Sequence, residues 1–281
     1  MSEDVRPLIA GVCGDPIGQS KSPVLFGHWF RTYGIAGSYT PLLIRAHDFR
    51  QVLQALPKAG FRGVNVTLPH KAAALAAADQ VSDAAREIGA ANTLTFSPEG
   101  SIHADNTDGF GFIENLRAGA PQWNPAAGPV TMLGAGGAAR AGIHVLLQAG
   151  APQIRLTNRT REKAEALADH FGAFVTVVDW ADRDAAMDGA ATIVNTTSLG
   201  MLNQRPLEIS LDAAPQTALV TDMVYNPLKT DLLRSAEARG MPTVDGLGML
   251  LHQARPGFHR WFGREAEVTP ALRNAILETM T

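Results

Sequence analysis

The stretch VTMLGAGGAARAGIHVLLQ, residues 130–148, decides the fold. Its first four residues, Val130–Leu133, predict a buried strand, and the alanine-rich run after them predicts a helix. Gly134, Gly136 and Ala139 form the pattern GxGxxA at the junction, where absent side chains let the backbone approach a pyrophosphate group. A tight strand-to-helix turn without a ligand is the alternative, but the flanking strand and helix favour a dinucleotide site.

The residues after the next predicted strand indicate which dinucleotide binds. An NAD site usually carries Asp or Glu there, to hold the ribose hydroxyls. This sequence has Asn158, Arg159, Thr160 and Arg161 instead. Guanidinium groups and a hydroxyl can bind a 2′-phosphate through charge-assisted hydrogen bonds, which favours NADP (NADPH). Two solvated arginines are the alternative, but cations are unfavourable beside a helix N-terminus unless an anion is near. The predicted cofactor-binding residues here are Gly134, Ala135, Gly136, Gly137, Ala138, Asn158, Arg159, Thr160 and Arg161.

The pattern of strands and helices predicts an α/β protein with two domains. From residue 130 onward, apolar runs alternate with helical stretches in the manner of a Rossmann-type, doubly wound dinucleotide-binding domain. The first hundred residues also alternate strand and helix, which predicts a mostly parallel βα sheet. The segment 120–129 holds three prolines and indicates a linker or long loop between the two series.

Composition excludes several classes of protein. The chain has 281 residues, 46% of them hydrophobic and 18% charged, with a net charge of −3, as in an ordinary globular protein. The basic residues are scattered, so nucleic acid is not expected as a partner. No apolar run is long enough to span a membrane, and residues 1–7 do not form a basic, apolar leader, so we expect a cytoplasmic protein. Cys13 is the only cysteine, and the eight histidines form no metal-binding motif, so no metal site is expected.

The first domain contains polar residues whose role the residues alone leave open. Lys71 is the last residue of NVTLPHK, residues 65–71, and opens a helix after a strand, where ligands gather in open sheets. Read alone, it could equally be a solvated lysine, and Asp108 could be a turn or capping residue. Ser20 and Ser22 suit either a helix cap or the binding of a carboxylate.

Taken together and in order, the motifs resemble those of the shikimate dehydrogenase family over nearly the whole chain. The motifs that carry the resemblance are GDPIGQSKSP from Gly14, NVTLPHK from Asn65, GAANTL from Gly89, DNTDGFG from Asp105, GAGGAAR from Gly134, NRT from Asn158, NTTSLGM from Asn195, MVYNP from Met223 and GLGMLLHQA from Gly246. The resemblance implies a substrate-binding and catalytic domain made of residues 1–108 and 246–281, completed by C-terminal helices. It also implies an NADP-binding Rossmann domain at residues 109–245.

The resemblance further implies an oxidoreductase that reversibly reduces 3-dehydroshikimate to shikimate in aromatic amino-acid and chorismate biosynthesis, acting as a monomer or a homodimer. Lys71 and Asp108 would be the catalytic pair, and Asp108 could either transfer a proton or only orient Lys71. The substrate-binding residues implied are Ser20, Ser22, Thr67, Lys71, Asn92, Asp108, Tyr225 and Gln253. Asp83, Met223 and Gly246 are implied to contact the cofactor.

Two departures from the family pattern bear on the substrate. The family's usual histidines near the two serines are absent, and Gln19 and Phe26 stand at or beside those places. This change is either neutral repacking or a reshaped pocket, so a quinate or quinate/shikimate dehydrogenase is the first alternative. A catalytically silent, NADP-binding sensor is the second, although Lys71 and Asp108 argue against it. Pro256 and Gly257 are expected to kink or interrupt the helix after Gln253.

Overall fold

The computed structural model describes residues 7–280, which divide into two compact units. The first unit holds the described residues up to Thr107 and those from Gln253 onward, and the second is Asp108–His252. The domain boundaries expected from the sequence fall after residues 108 and 245. The predicted α/β fold class is confirmed by a mixed sheet with C-terminal helices in the first unit and a parallel, doubly wound sheet in the second.

The first unit is built on a six-stranded sheet in the order β2-β1-β3-β5-β6-β4. Its strands are β1 Ile9–Gly14, β2 Ser38–Leu43, β3 Phe61–Val66, β4 Gln80–Val81, β5 Thr93–Phe96 and β6 Ile102–Asp105. The pairs β1–β2, β1–β3 and β4–β6 are parallel, whereas β5 is antiparallel to both of its neighbours. The helices of this unit are α1 Ser22–Tyr33, α2 Phe49–Ala55, α3 Lys71–Ala76, α4 Asp83–Ile88, α10 Arg255–Phe262 and α11 Pro270–Leu277.

An aromatic cluster fixes α10 on this sheet. Phe26 from α1 is fully buried and packs against Trp29, Phe258 and Trp261. Trp261 lies across β3 because Gly63 has no side chain; an added Cβ there would come within 2.0 Å of the indole Nε1. The indole then donates to the carbonyl oxygen of Leu94 at 3.2 Å. The C-terminal segment is therefore part of the core of the first unit.

Two helix boundaries refine the expectations from the sequence. Serine followed by proline suggested a cap at Ser22, but α1 already begins at Ser22 and its N-cap is Lys21. The expected interruption at Pro256 is present: one helix ends at Gln253, and α10 begins at Arg255 with proline in its first turn. Proline is tolerated there because the first N–H groups of a helix have no partner within it.

The second unit is built on a six-stranded, fully parallel sheet in the order β12-β11-β10-β7-β8-β9. Its strands are β7 Val130–Leu133, β8 Ile154–Thr157, β9 Val175–Val178, β10 Thr192–Asn195, β11 Leu219–Asp222 and β12 Thr243–Val244. Its helices are α5 Asp108–Gly119, α6 Gly137–Gln148, α7 Arg161–Phe171, α8 Asp231–Ala238 and α9 Leu247–Gln253. The last residue of α9, Gln253, belongs to the first unit. The strand order reverses between β7 and β10. Ligands of such sheets bind beyond the carboxyl ends of the strands at this point.

Candidate functional site

The turn after β7 brings two loops of the second unit into close contact. Gly134 has φ of +104°, and a Cβ on it would lie 2.6 Å from Thr196 Oγ1. Only glycine accepts both the positive φ and this approach without strain. Helix α6 then begins at Gly137 with Gly136 as its N-cap, so unpaired backbone N–H groups face the space beyond the strands.

A cleft of about 570 Å³ lies at the carboxyl ends of β7, β8 and β10 in the second unit. It is lined by Gly134, Ala135, Gly136, Asn158, Arg159, Thr160, Lys163, Trp180, Arg183, Thr196, Thr197, Ser198, Leu199, Arg205, Pro206 and Glu208. Four cationic side chains and one carboxylate line it, so an anionic ligand is favoured. The side chains of Arg159, Lys163 and Arg205 form no ion pair within the described range 7–280, which leaves their charges available to a ligand.

The NRTR segment after β8 divides into two parts. Asn158 accepts a hydrogen bond from the backbone of Ala135 at 3.2 Å and donates to Thr160 O at 2.7 Å, so it ties this loop to the glycine turn. Arg159 and Thr160 line the cleft. Arg161 instead directs its guanidinium to Glu165, at 2.7 Å, and to Asp179.

Three cationic residues of the cleft were not anticipated from the sequence. Lys163 lies one turn beyond Arg159, a spacing that places it on the same side of the loop and helix and that could have signalled it. Arg205 comes from the long segment after β10, and no local sequence pattern predicts its place in the cleft. The guanidinium of Arg183 lies 5.0 Å from the centre of the Trp180 ring, so a cation and an aromatic surface face the cleft together.

The end of β11 holds the remaining predicted residues of this unit. Gly246 packs against the backbone of residues 222–224; a Cβ on it would lie 2.7 Å from Met223 O. The carboxylate of Asp222 accepts hydrogen bonds from Val224 N and Asn195 Nδ2, both at 2.9 Å, and fixes the loop. Burial raises the pKa of Asp222 to about 6 and also raises the pKa of the Tyr225 phenol. Tyr225 therefore stays protonated and able to donate at neutral pH.

In the first unit, the two serines flank the start of α1. Ser22 is buried, and its backbone N–H donates to Ser20 Oγ at 3.3 Å. This turn holds both hydroxyls at the amino end of a twelve-residue helix, where an anion is favoured. Gln19 is exposed, whereas Phe26 is sealed in the aromatic cluster, so the two departures from the family pattern lie in different surroundings.

The other predicted substrate residues of this unit lie around the ends of β3 and β5. Thr67 follows β3, and its backbone donates to Cys13 O at 2.9 Å. Lys71 begins α3, and its carbonyl accepts from Ala91 N at 2.9 Å, next to Asn92. Asn92 donates to Gln253 Oε1 at 3.4 Å. The first unit thus brings together an ammonium group, a hydroxyl and two carboxamides on neighbouring segments.

The position of Asn92 is fixed by its own carboxamide oxygen. This oxygen accepts from Thr107 N at 2.8 Å and from Thr93 Oγ1 at 3.0 Å, and all three residues are buried. Thr107 directly precedes Asp108, the first residue of both α5 and the second unit. Asp83, predicted to contact the cofactor, begins α4 in the first unit and forms an exposed ion pair with Arg86 at 2.7 Å.

Comparison with known proteins identifies the family. Family models described as shikimate dehydrogenase substrate binding domain, shikimate / quinate 5-dehydrogenase and shikimate 5'-dehydrogenase C-terminal domain match residues 12–94, 123–224 and 246–277. The chain is 60% identical over 274 residues to a shikimate dehydrogenase (NADP(+)) from Dinoroseobacter shibae, covering 98% of this chain and 99% of the relative. The chain belongs to the shikimate dehydrogenase family. The resemblance inferred from the motifs is confirmed.

Solved structures of shikimate dehydrogenase relatives share the fold. A shikimate 5-dehydrogenase from Thermus thermophilus in complex with NADP(H) and shikimate is 35% identical, with a TM-score of 0.86, covering 96% of this chain and 99% of that one. A quinate dehydrogenase from Corynebacterium glutamicum in complex with NAD is 29% identical, with a TM-score of 0.90, covering 97% and 99%. Fold similarity therefore extends to both substrate classes.

Within residues 7–280, no group of three or more His, Cys, Asp and Glu side chains is arranged to hold a metal ion. No helix in the same range is long and apolar enough to cross a membrane.

Proposed function

We propose that this shikimate dehydrogenase family member catalyses the NADP-dependent, reversible reduction of 3-dehydroshikimate to shikimate. The observation that carries the proposal is the fixed carboxamide of Asn92, whose oxygen is bound by Thr93 and Thr107 while its nitrogen faces Gln253. Two oriented carboxamides near Lys71 suit a ring that carries several hydroxyl groups. The full-length similarity to a shikimate dehydrogenase (NADP(+)) supports the same assignment.

The residues suit the two ends of such a substrate. The Ser20 and Ser22 hydroxyls at the start of α1, with the protonated Tyr225 phenol, would hold the carboxylate through charge-assisted hydrogen bonds. The ring hydroxyls would be bound by Thr67, Lys71, Asn92, Asp108 and Gln253. A site whose buried polar groups match the substrate's hydroxyls discriminates against rings that lack them, because the polar groups are then left unpaired.

In this proposal, NADPH supplies the hydride that the carbonyl carbon of 3-dehydroshikimate gains. Negative charge then develops on the carbonyl oxygen, and Lys71 donates the proton that makes it a hydroxyl. Asp108 either returns a proton to Lys71 or orients its ammonium group. In the reverse direction, Lys71 accepts the hydroxyl proton as the hydride leaves.

The cleft in the second unit suits NADP. Gly134 admits the Thr196 loop, Gly136 leaves open space for the pyrophosphate, and the N-terminus of α6 adds favourable dipole charge. Arg159, Thr160 and Lys163 would hold the 2′-phosphate, with Arg205 as a further cation. We still expect Asp83, Met223 and Gly246 to contact the cofactor, as the family resemblance implies. A monomer or homodimer in the cytoplasm remains our expectation.

Arg159 and Arg161 are expected to differ in their effect on NADPH binding. Arg159→Gln should raise the KM for NADPH by about 10- to 100-fold, because a charge-assisted hydrogen bond is lost. Arg161→Gln should raise it by less than about threefold, because Glu165 and Asp179 already neutralise that guanidinium. Steady-state rates with NADPH and NADH measure both effects. Equal losses in the two variants, or equal losses with both cofactors, would contradict this assignment of the phosphate site.

The function itself is tested by four reactions. The absorbance of reduced nicotinamide is followed with shikimate or quinate, each combined with NADP or NAD. We expect shikimate with NADP to have the highest kcat/KM. Comparable rates with quinate would move the assignment to a quinate/shikimate dehydrogenase, because the chain also shares its fold with a quinate dehydrogenase. Negligible rates in all four reactions would leave a binding protein without catalysis.

A further inference from the structure

Tyr39 connects two parts of the first unit that the proposed function assigns to opposite ends of the substrate. Its side chain is buried on β2, and its hydroxyl donates to Asn65 Oδ1 on β3 at 2.7 Å. Since β1 lies between these strands, the phenol reaches across β1. Its partner in the β1 register is Ala10, whose small side chain leaves room for the ring.

On the β3 side, the contact continues to the residues that bind ring hydroxyls. Asn65 donates to Asn92 O at 3.2 Å and to Thr93 Oγ1 at 3.0 Å. The Thr93 hydroxyl in turn donates to Asn92 Oδ1 at 3.0 Å. Both bonds of the Asn65 amide thus act on Asn92, one on its backbone and one through Thr93. Because Asn65 Oδ1 accepts the hydrogen bond of the Tyr39 hydroxyl, the orientation of the whole Asn65 carboxamide is defined.

On the α1 side, the same phenol meets the carboxylate end. The Ser22 side chain is a neighbour of the same phenol and acts to lower its pKa, while burial acts more strongly to raise it. Burial raises the pKa of Tyr39 well above its ordinary value, and the phenol therefore remains a proton donor at every physiological pH. Its hydrogen bond to Asn65 is buried, and a missing partner would leave a buried polar group unsatisfied.

The ring of Tyr39 is held in place by Phe26. The two rings stack with their centroids 3.7 Å apart and an interplanar angle of 13°. Phe26 is itself wedged against Trp29 and Phe258, so the stack has no room to tilt. The residue that departs from the family's histidine pattern therefore supports the tyrosine.

We infer that Tyr39 is a positioning residue that sets the separation between Ser22 and Asn92, and hence between the groups that bind the carboxylate and a ring hydroxyl of one substrate molecule. The inference rests on the proposed function. It assigns to Tyr39 an effect on the binding of the cyclic acid and none on the dinucleotide, whose cleft is formed by other residues of the second unit.

The test is Tyr39→Phe, which keeps the stack and removes the hydroxyl. We expect the KM for shikimate to rise about tenfold, kcat to fall by less than about threefold, and the KM for NADP to stay constant, because the buried hydrogen bond that orients Asn65 is lost. Tyr33→Phe is the matched control: it removes an exposed tyrosine hydroxyl that accepts from Glu267 N at 3.0 Å in the same unit. It should leave both KM values unchanged.

Two further variants separate positioning from general loosening. If Tyr39 acts through Ser22, combining Tyr39→Phe with Ser22→Ala should raise the KM for shikimate less than the product of the single effects. Phe26→Leu, which removes the stack and keeps the hydroxyl, should raise the same KM by a smaller factor. An active enzyme whose KM for shikimate is unchanged in Tyr39→Phe, or rises equally for shikimate and NADP, overturns the inference alone. A wild-type enzyme without shikimate activity overturns the proposed function and this inference with it.

Discussion

Replacing Lys71 with alanine is expected to lower kcat by about a thousandfold while changing the KM for shikimate by less than about tenfold. The reason is that, in the proposed mechanism, the ammonium group acts on charge that develops only in the transition state, whereas the proposed contacts of the ring hydroxyls with Thr67, Asn92 and Gln253 would remain. The backbone of Lys71 is held by Ala91, so truncating the side chain should leave the start of α3 in place.

Steady-state kinetics with shikimate and NADP measure this effect, and primary amines added to the Lys71→Ala enzyme should restore part of the rate. Lys58→Ala is the matched control, because Lys58 is exposed in the same unit and lies outside the proposed site. The double variant with Asp108→Asn tests whether Asp108 acts through Lys71. If it does, its replacement should have no further effect once the lysine is gone. An unchanged kcat in Lys71→Ala would remove Lys71 from the mechanism.

The second large effect is expected on stability. Gly63→Ala should lower the free energy of unfolding by about 3 kcal/mol, because the new methyl group cannot be accommodated in a close-packed core. An added Cβ would lie 2.0 Å from the Trp261 indole nitrogen and 2.3 Å from the Leu94 carbonyl oxygen. The second of these is backbone, so shifting a side chain cannot relieve it. Either Trp261 leaves β3 and loses its hydrogen bond to Leu94, or β3 and β5 separate.

Thermal unfolding followed by circular dichroism tests this expectation, with a decrease in Tm of roughly 10 °C for Gly63→Ala. Gly27→Ala provides the control in the same unit. Gly27 lies inside α1, its added Cβ would meet only Arg31 Nη1 at an ordinary 3.5 Å, and alanine is the better helix former. That substitution should raise Tm slightly. A Gly63→Ala protein as stable as the wild type would show that Trp261 does not depend on the missing side chain.

Features encoded in short stretches of sequence could be predicted. The strand, the glycine turn and the helix at residues 130–148 follow from local patterns, and the structure has them as β7, Gly134 and α6. The basic residues after β8 could likewise be predicted as a phosphate site, because they lie together in a single loop. What the sequence could not distinguish is which arginine faces the cleft. Arg161 is turned toward Asp179, a residue that only the fold brings near.

Features that depend on distant segments escaped prediction. Arg205 joins the cleft from a loop more than forty residues beyond Arg159, and nothing local marks it. Nothing local marks Tyr39 either, because its hydrogen bond to Asn65 crosses an intervening strand. Whether Phe26 means repacking or a new pocket was undecidable from its identity, since the answer depends on Phe258 and Trp261 near the other end of the chain.

The split of the first unit also affects how the protein is made. Phe26 and Tyr39 are synthesised more than two hundred residues before Phe258 and Trp261. In the folded chain, Phe258 packs against Phe26 and Trp261 packs against Tyr39. The second unit is one uninterrupted segment and can fold during synthesis. The first unit is therefore completed only after the second has been synthesised, and its aromatic residues stay uncovered in the nascent chain until Phe258 and Trp261 follow.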